Sequence, residues 1–180
     1  RDYPLADDKY VIEQLAKEYP YIDLDRVGIY GHSGGAFQTV ASILTYPDFY
    51  KVAVAASGNH DNNIYIQWWG ETFHGLNEKE DTKTGKTTFS VKIPTNMELA
   101  GNLKGKLMLI TGDVDKNVPP SSTYRLADAL IKANKRFDMF ILPGKDHGVM
   151  SPYYQNLIRY YFVENLLQPS QRHIDIINHK

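Results

Sequence analysis

The stretch Asp25-Arg26-Val27-Gly28-Ile29-Tyr30-Gly31-His32-Ser33-Gly34-Gly35 decides how the rest of the chain is read. Its segment Arg26 to Tyr30 is short, partly β-branched and stopped by Gly31, as a buried strand is. The residues from Ala36 to Thr45 read as a helix ending before Pro47. Gly31-His32-Ser33-Gly34-Gly35 thus falls in a strand-to-helix turn, the context in which G-x-S-x-G carries chemistry. Gly31 and Gly35 are expected to make so sharp a turn sterically possible, leaving Ser33 in strained backbone geometry. A helix beginning just past Ser33 aims free N–H groups and a positive dipole end at the same point, which makes the Gly34 amide an oxyanion donor.

Outward from that turn, strands and helices alternate. Upstream, Asp7 or Asp8 is expected to cap an amphipathic helix with Val11, Ile12, Leu15 and Tyr19 on its apolar side and Pro20 past its end. Downstream, Val52–Ala56, Lys106–Ile110 and Phe137–Leu142 read as strands, with a helical pattern through Leu126, Ala127, Leu130 and Ile131 between the last two. A final helix places Leu157, Ile158, Tyr161, Phe162 and Leu166 on one face. The polar run from about Asn77 to Thr88 reads as an exposed loop with a turn at Asp81–Lys86, and the tail from Gln168 to Lys180 as frayed. This alternation predicts an α/β fold, a mainly parallel sheet with helices on both faces.

Composition narrows the function. With 180 residues, 42% hydrophobic, the chain suits one domain over residues 1–180. A net charge of −1 gives no electrostatic reason to expect nucleic acid or an anionic membrane as partner, so the ligand is expected to be small or peptidic. No cysteine is present, which excludes disulfides and thiolate metal sites and fits a reducing cytoplasm and a periplasm equally. No run approaches the ~20 apolar residues of a membrane span. The start at Arg1, without an initiator methionine, suggests a piece of a longer protein.

A serine hydroxyl is a poor nucleophile at neutral pH and needs a base within hydrogen-bond reach, itself oriented by a further group. In α/β-hydrolases the chain order is Ser, then Asp or Glu, then His. Asp115, in Thr111-Gly112-Asp113-Val114-Asp115-Lys116-Asn117-Val118, and His147, in Pro143-Gly144-Lys145-Asp146-His147-Gly148, satisfy that order and each follow a predicted strand. All three residues therefore emerge at the carboxyl edge of the sheet, where open α/β sheets bind ligands. Asp113 competes with Asp115 for the orienting role. Asp146 is expected to point elsewhere. No metal or organic cofactor is required.

The constellation resembles the prolyl oligopeptidase family of serine peptidases, in its dipeptidyl peptidase IV-like branch, from about residue 1 to residue 167. Asp25–Gly35 resembles the family's nucleophile strand and elbow, Gly112–Val118 its acid loop, and Asp146-His147-Gly148 its histidine loop. The resemblance implies Ser33, Asp115 and His147 as catalytic triad and Gly34 N–H in the oxyanion hole. It implies Asn117 as a holder of the substrate backbone, and Val118, Tyr65 and Trp69 as walls of a proline-sized pocket. Asn59 and Asn62 fall in that pocket where the family is more apolar, and Gly34 stands where mammalian members carry tyrosine. The family's first strands, a tyrosine oxyanion donor and a gating β-propeller precede the nucleophile strand, so the resemblance makes this chain the C-terminal part of a catalytic domain that lacks its N-terminal strands. It implies peptide substrates cut near their amino terminus, leaves a homodimer open for the full-length protein, and through its bacterial members suggests the periplasm. An open edge on the nucleophile strand is expected to make the isolated fragment self-associate. Because the same triad cleaves esters, a carboxylesterase or acylaminoacyl hydrolase is the competing activity, and an inactive binding module the competing class.

Overall fold

The apolar runs pair side by side, all in one direction. In the structure, a computed structural model that describes residues 5–90 and 93–167, the elements follow as α1 (Leu5–Glu18), β1 (Val27–His32), α2 (Gly34–Thr45), β2 (Tyr50–Ala56), α3 (Gln67–His74), β3 (Asn77–Asp81) and β4 (Lys86–Ser90). Then come β5 (Lys106–Gly112), α4 (Pro120–Lys132), β6 (Asp138–Leu142) and α5 (Pro152–Phe162). The main sheet has the order β1-β2-β5-β6, and each neighbouring pair is parallel. Register pairs Gly31 with Ala55 and His32 with Ala56, so β1 and β2 end level. The expected tail from Gln168 to Lys180 lies outside the described residues.

Side-chain alternation along the two central strands explains why both faces are covered. Ala53 and Ala55 of β2 with Leu107 and Leu109 of β5 face a core built from Val40, Ile43 and Leu44 of α2 and Leu126 and Leu130 of α4. Val52, Val54, Met108 and Ile110 face the opposite core, closed by Tyr154, Leu157 and Tyr161 of α5. A strand buried on both sides has no polar face to show, which is why these runs read as continuously apolar. Tyr161 Oη donates to Asp138 Oδ2 at 2.8 Å and ties α5 to the start of β6; burial, then that carboxylate, pushes the phenol well above its ordinary range.

Four expectations change. Asp7 and Asp8 lie inside the first turn of α1 rather than capping it, where they complement the helix dipole. Of the four apolar residues expected inward only Ile12 packs against the core, and Val11, Leu15 and Tyr19 are exposed; the buried apolar residue of α1 is Leu5, at its start. Ile131, expected on the inner side of α4, is exposed at its outer side, because Leu126, Ala127 and Leu130 already fill the stripe that meets the sheet. The stretch from Asn77 is a hairpin, not a loop: β3 and β4 pair antiparallel around a turn in which Asp81 Oδ1 accepts from Lys83 N at 2.8 Å and Gly85 adopts φ +67°. Every residue of β3 and β4 is exposed, so the sequence carries none of the apolar alternation that marks a strand.

The two sides of α4 and β5 give a stability test. Leu109→Ala, at a fully buried site, is expected to cost about 2–5 kcal/mol in chemical denaturation. Ile131→Ala is expected to stay within about 0.5 kcal/mol. Equal losses would contradict this packing.

Candidate active site

Ser33 stands between β1 and α2 with φ 58° and ψ −124°, a region that side-chain-bearing residues rarely occupy and that costs on the order of 1–3 kcal/mol. Its backbone is held on both sides. Ser33 N donates to Ala56 O at 2.9 Å, and Ser33 O accepts from Ala36 N at 2.9 Å and Phe37 N at 3.2 Å. The steric reason for the turn lies in one glycine rather than two. A Cβ on Gly31 would sit 2.3 Å from Gly35 O, whereas a Cβ on Gly35 would meet nothing within 4 Å. The expectation that both glycines are sterically required is corrected accordingly: Gly31 must be bare because the backbone of Gly35 passes against it.

The loops after β5 and β6 meet the serine from the other side. His147 Nε2 lies 2.9 Å from Ser33 Oγ, and His147 Nδ1 lies 2.9 Å from Asp115 Oδ2. With a carboxylate on Nδ1 the ring proton belongs there, which leaves Nε2 bare to accept from the serine hydroxyl. The Asp115 carboxylate is fully buried, and its other oxygen accepts from the backbone N–H of Asn117 and Val118, each at 2.9 Å. Asp113 turns the other way and accepts from Gly144 N at 2.7 Å, bracing the histidine loop, while Asp146 accepts from Gly148 N at 3.0 Å. Gly112 makes the meeting possible, since a Cβ there would lie 2.2 Å from Lys145 O. Val114 N donates to that same carbonyl at 3.2 Å.

His32, inside the motif, is a brace that the sequence reading passed over. Its Nε2–H donates to the carbonyl of His147 at 2.7 Å, and the two rings lie 4.7 Å apart. The signal was its position next to Ser33 at the level end of β1.

On the other side of the serine lies a cavity of about 510 Å³ whose lining includes Gly34, Asn59, Asn62 and Trp69. A Cβ on Gly34 would meet the Trp69 ring at 3.4 Å, so the indole occupies the space beside the absent side chain. Phe73 packs on Trp69 with ring centroids 4.3 Å apart, and Tyr65 lies edge-on to it at 6.1 Å. Tyr65 Oη donates to Asn117 Oδ1 at 2.5 Å, linking the aromatic segment to the Asp115 loop; burial, then the Asp115 charge, pushes its phenol up. The side chain of Val118 is buried and is not among the residues lining this cavity. Asn59 and Asn62 are buried and bonded to one another, and Asn62 bonds onward to His74, whose imidazole burial holds below its ordinary value.

Behind this wall His60 is completely buried, and burial takes its imidazole down to about 3, so the ring is neutral. Asn96 clamps it: Asn96 N donates to His60 O at 3.1 Å, and its side-chain amide donates to His60 Nδ1 at 3.1 Å and to Phe37 O on α2 at 2.9 Å. No spacing in the sequence announces that pairing. Among the described residues no group of three His, Asp or Glu side chains is arranged to hold a metal ion, and no helix is long and apolar enough to cross a membrane.

Comparison with known proteins adds independent findings. The profile of the prolyl oligopeptidase family matches residues 2–169. Dipeptidyl peptidase 8 of Mus musculus is 29% identical over 159 residues, 86% of this chain and 17% of that protein. Venom dipeptidyl peptidase 4 of Vespula vulgaris is 29% identical over 156 residues, 84% of this chain and 20% of that protein. A Bacteroides ovatus structure assigned as a dipeptidyl aminopeptidase IV superposes with TM-score 0.75 at 30% identity, covering 89% of this chain and 22% of its own. Dipeptidyl peptidase 4 of Porphyromonas gingivalis superposes with TM-score 0.74 at 25% identity, covering 90% and 22%. The chain thus spans about a fifth of the length of these relatives.

The turn geometry predicts unequal glycines. Gly31→Ala is expected to destabilise the protein and abolish reactivity at Ser33, because the backbone of Gly35 must move aside. Gly35→Ala is expected to be neutral or to stabilise by up to about 1 kcal/mol, since a helix gains from the lost chain entropy. Thermal denaturation of both variants decides it, and a milder loss at Gly31 than at Gly35 would contradict the steric account.

Proposed function

This chain belongs to the prolyl oligopeptidase family, and from that premise we propose that it carries the catalytic residues of a serine peptidase that cuts near the amino terminus of peptides. The observation that carries the reading is the pair of 2.9 Å contacts joining Ser33 Oγ, His147 and Asp115. The contacts support the roles: a buried carboxylate that accepts from two backbone N–H groups on one oxygen and from the imidazole on the other orients the base. The names of the relatives, dipeptidyl peptidases and aminopeptidases, support a dipeptide as the released product.

The steps follow from these atoms. His147 Nε2 takes the Ser33 proton as Oγ bonds to the carbonyl carbon, and the carbonyl oxygen, now negative, accepts from Gly34 N–H at the start of α2. Imidazolium, stabilised by Asp115, gives the proton to the leaving amine as the C–N bond breaks. A water molecule, deprotonated by the same nitrogen, then bonds to the acyl carbon, and as the bond from that carbon to Ser33 Oγ breaks the imidazolium returns its proton to Oγ. The buried Asp115 does not take up a proton in either half. Proline before the cut suits the aromatic wall that Trp69 and Phe73 give the cavity, and is one arm of the substrate comparison below.

The test uses the intact protein with Gly-Pro and Gly-Ala nitroanilides and mass analysis of the products. Release of dipeptide is expected, with Ser33→Ala removing nearly all turnover and Asp115→Asn lowering kcat about 10⁴-fold. Undiminished turnover in Ser33→Ala would place the chemistry elsewhere. Hydrolysis of p-nitrophenyl acetate without cleavage of either peptide would turn the reading toward an esterase.

A further inference from the structure

We infer that His32 is a positioning residue for the general base: its Nε2–H, held on the backbone carbonyl of His147, governs how steadily the His147 imidazole stands at Ser33 Oγ. The inference rests on the peptidase reading above and adds to it a residue that acts on the base without touching substrate.

The first ground is how little else holds the base. The loop that carries His147 lies at the surface, with Pro143, Gly144, Lys145, Asp146 and Gly148 exposed. Its start is tied to the Asp115 loop, where Gly144 N donates to Asp113 Oδ1 at 2.7 Å and Lys145 O accepts from Val114 N at 3.2 Å. At the backbone of His147 itself, the one hydrogen bond among the described residues that comes from another element is that of His32, at 2.7 Å. The second donor to that carbonyl, Val149 N at 3.1 Å, belongs to the same loop and moves with it. A carbonyl oxygen only accepts, so Nε2 of His32 carries the proton.

The second ground is where His32 is anchored. It ends β1 in register with Ala56 of β2 and adjoins Ser33, whose own amide is taken by Ala56 O. Its backbone therefore keeps a fixed relation to the nucleophile. Two contacts then close a ring between the two segments: His147 Nε2 lies 2.9 Å from Ser33 Oγ, and His32 Nε2 reaches His147 O. One holds the tip of the imidazole and the other holds the backbone that carries it. Asp115 orients the ring through Nδ1 but sits on a different loop, whereas His32 ties the base to the strand of the nucleophile. Proton transfer from Oγ requires hydrogen-bond reach, and a misplacement on the order of 1 Å costs about 100-fold in rate. His32 is not among the residues lining the cavity beside Gly34, so its loss is expected in kcat rather than in KM.

Two variants of the intact protein separate the donor from the ring. His32→Phe keeps a ring to pack 4.7 Å from that of His147 and removes the donor. His32→Gln removes the ring and places a side-chain N–H as many bonds from Cβ as the imidazole Nε2–H. Each is assayed with whichever of the Gly-Pro and Gly-Ala nitroanilides the parent cleaves faster. The amplitude of fluorophosphonate labelling at Ser33 counts competent sites, so that kcat is independent of the fraction folded. In His32→Phe, kcat per site is expected to fall about 10- to 100-fold with KM within about twofold, and the labelling rate to fall with kcat. His32→Gln is expected to recover most of that loss in both. A kcat in His32→Phe within about twofold of the parent, or a loss of about tenfold or more in His32→Gln, overturns the inference and leaves the peptidase reading standing. Absence of Ser33-dependent turnover and labelling in the parent overturns both.

Discussion

The contact between the bare Cα of Gly31 and the backbone of Gly35 is what the site depends on. With no room for a Cβ between them, the chain reverses direction in one residue, and that residue, Ser33, is forced to φ 58°. The strain is supported rather than relieved: β1 is fixed in register beside β2, the amide of Ser33 is taken by Ala56 O, and its carbonyl starts the hydrogen bonding of α2. A packed sheet on one side and a packed helix on the other over-determine the turn, which is the condition under which an unfavourable backbone conformation persists. The same device recurs at Gly112, where a bare Cα lets the His147 loop cross the end of β5 against Lys145 O. Two close backbone approaches therefore bring three loop residues to one point.

Polar cost gathers at the same edge of the sheet. Of the buried polar side-chain atoms without partners among the described residues, Ser57 Oγ, Asn59 Oδ1, His60 Nε2 and Asn96 Oδ1 lie in the loop after β2 and the residue that clamps it, while Ser42 Oγ, Thr45 Oγ1 and Tyr50 Oη lie in α2 and at the start of β2. Ser57 also has positive φ, at 51°. Stability alone would favour pairing or removing such groups, and local conflicts of this kind are expected where a surface is shaped for a ligand. The neutral His60, held by Asn96, ties α2 to the loop that carries Asn59.

The sheet was legible because burial on both faces leaves β2 and β5 continuously apolar, and the turn at Ser33 because glycine spacing records a steric need. Asp115 and His147 follow strands in the expected order, and the structure brings His147 to Ser33 and Asp115 to His147 while turning Asp113 away to Gly144 N. What escaped has physical reasons. A hairpin with every residue exposed has no alternation to betray it, and Ile131 continues the α4 pattern but lies just outside the stripe that meets the sheet. Gly35 looks identical to Gly31 in the motif, though only one of them is crowded. The Asn59–Asn62–His74 ladder and the Asn96 clamp depend on which residues face one another across the fold, and sequence spacing does not encode that. Membership of the prolyl oligopeptidase family, read first from three short motifs, stands on a match over residues 2–169.

The most direct test of the account is to map, by peptide mass spectrometry, where a fluorophosphonate attaches to the intact protein. The account predicts one adduct, on the peptide containing Ser33, formed far more slowly in His147→Ala. Attachment to another serine, such as Ser57 with its own positive φ, or labelling at Ser33 that is indifferent to His147, would contradict it.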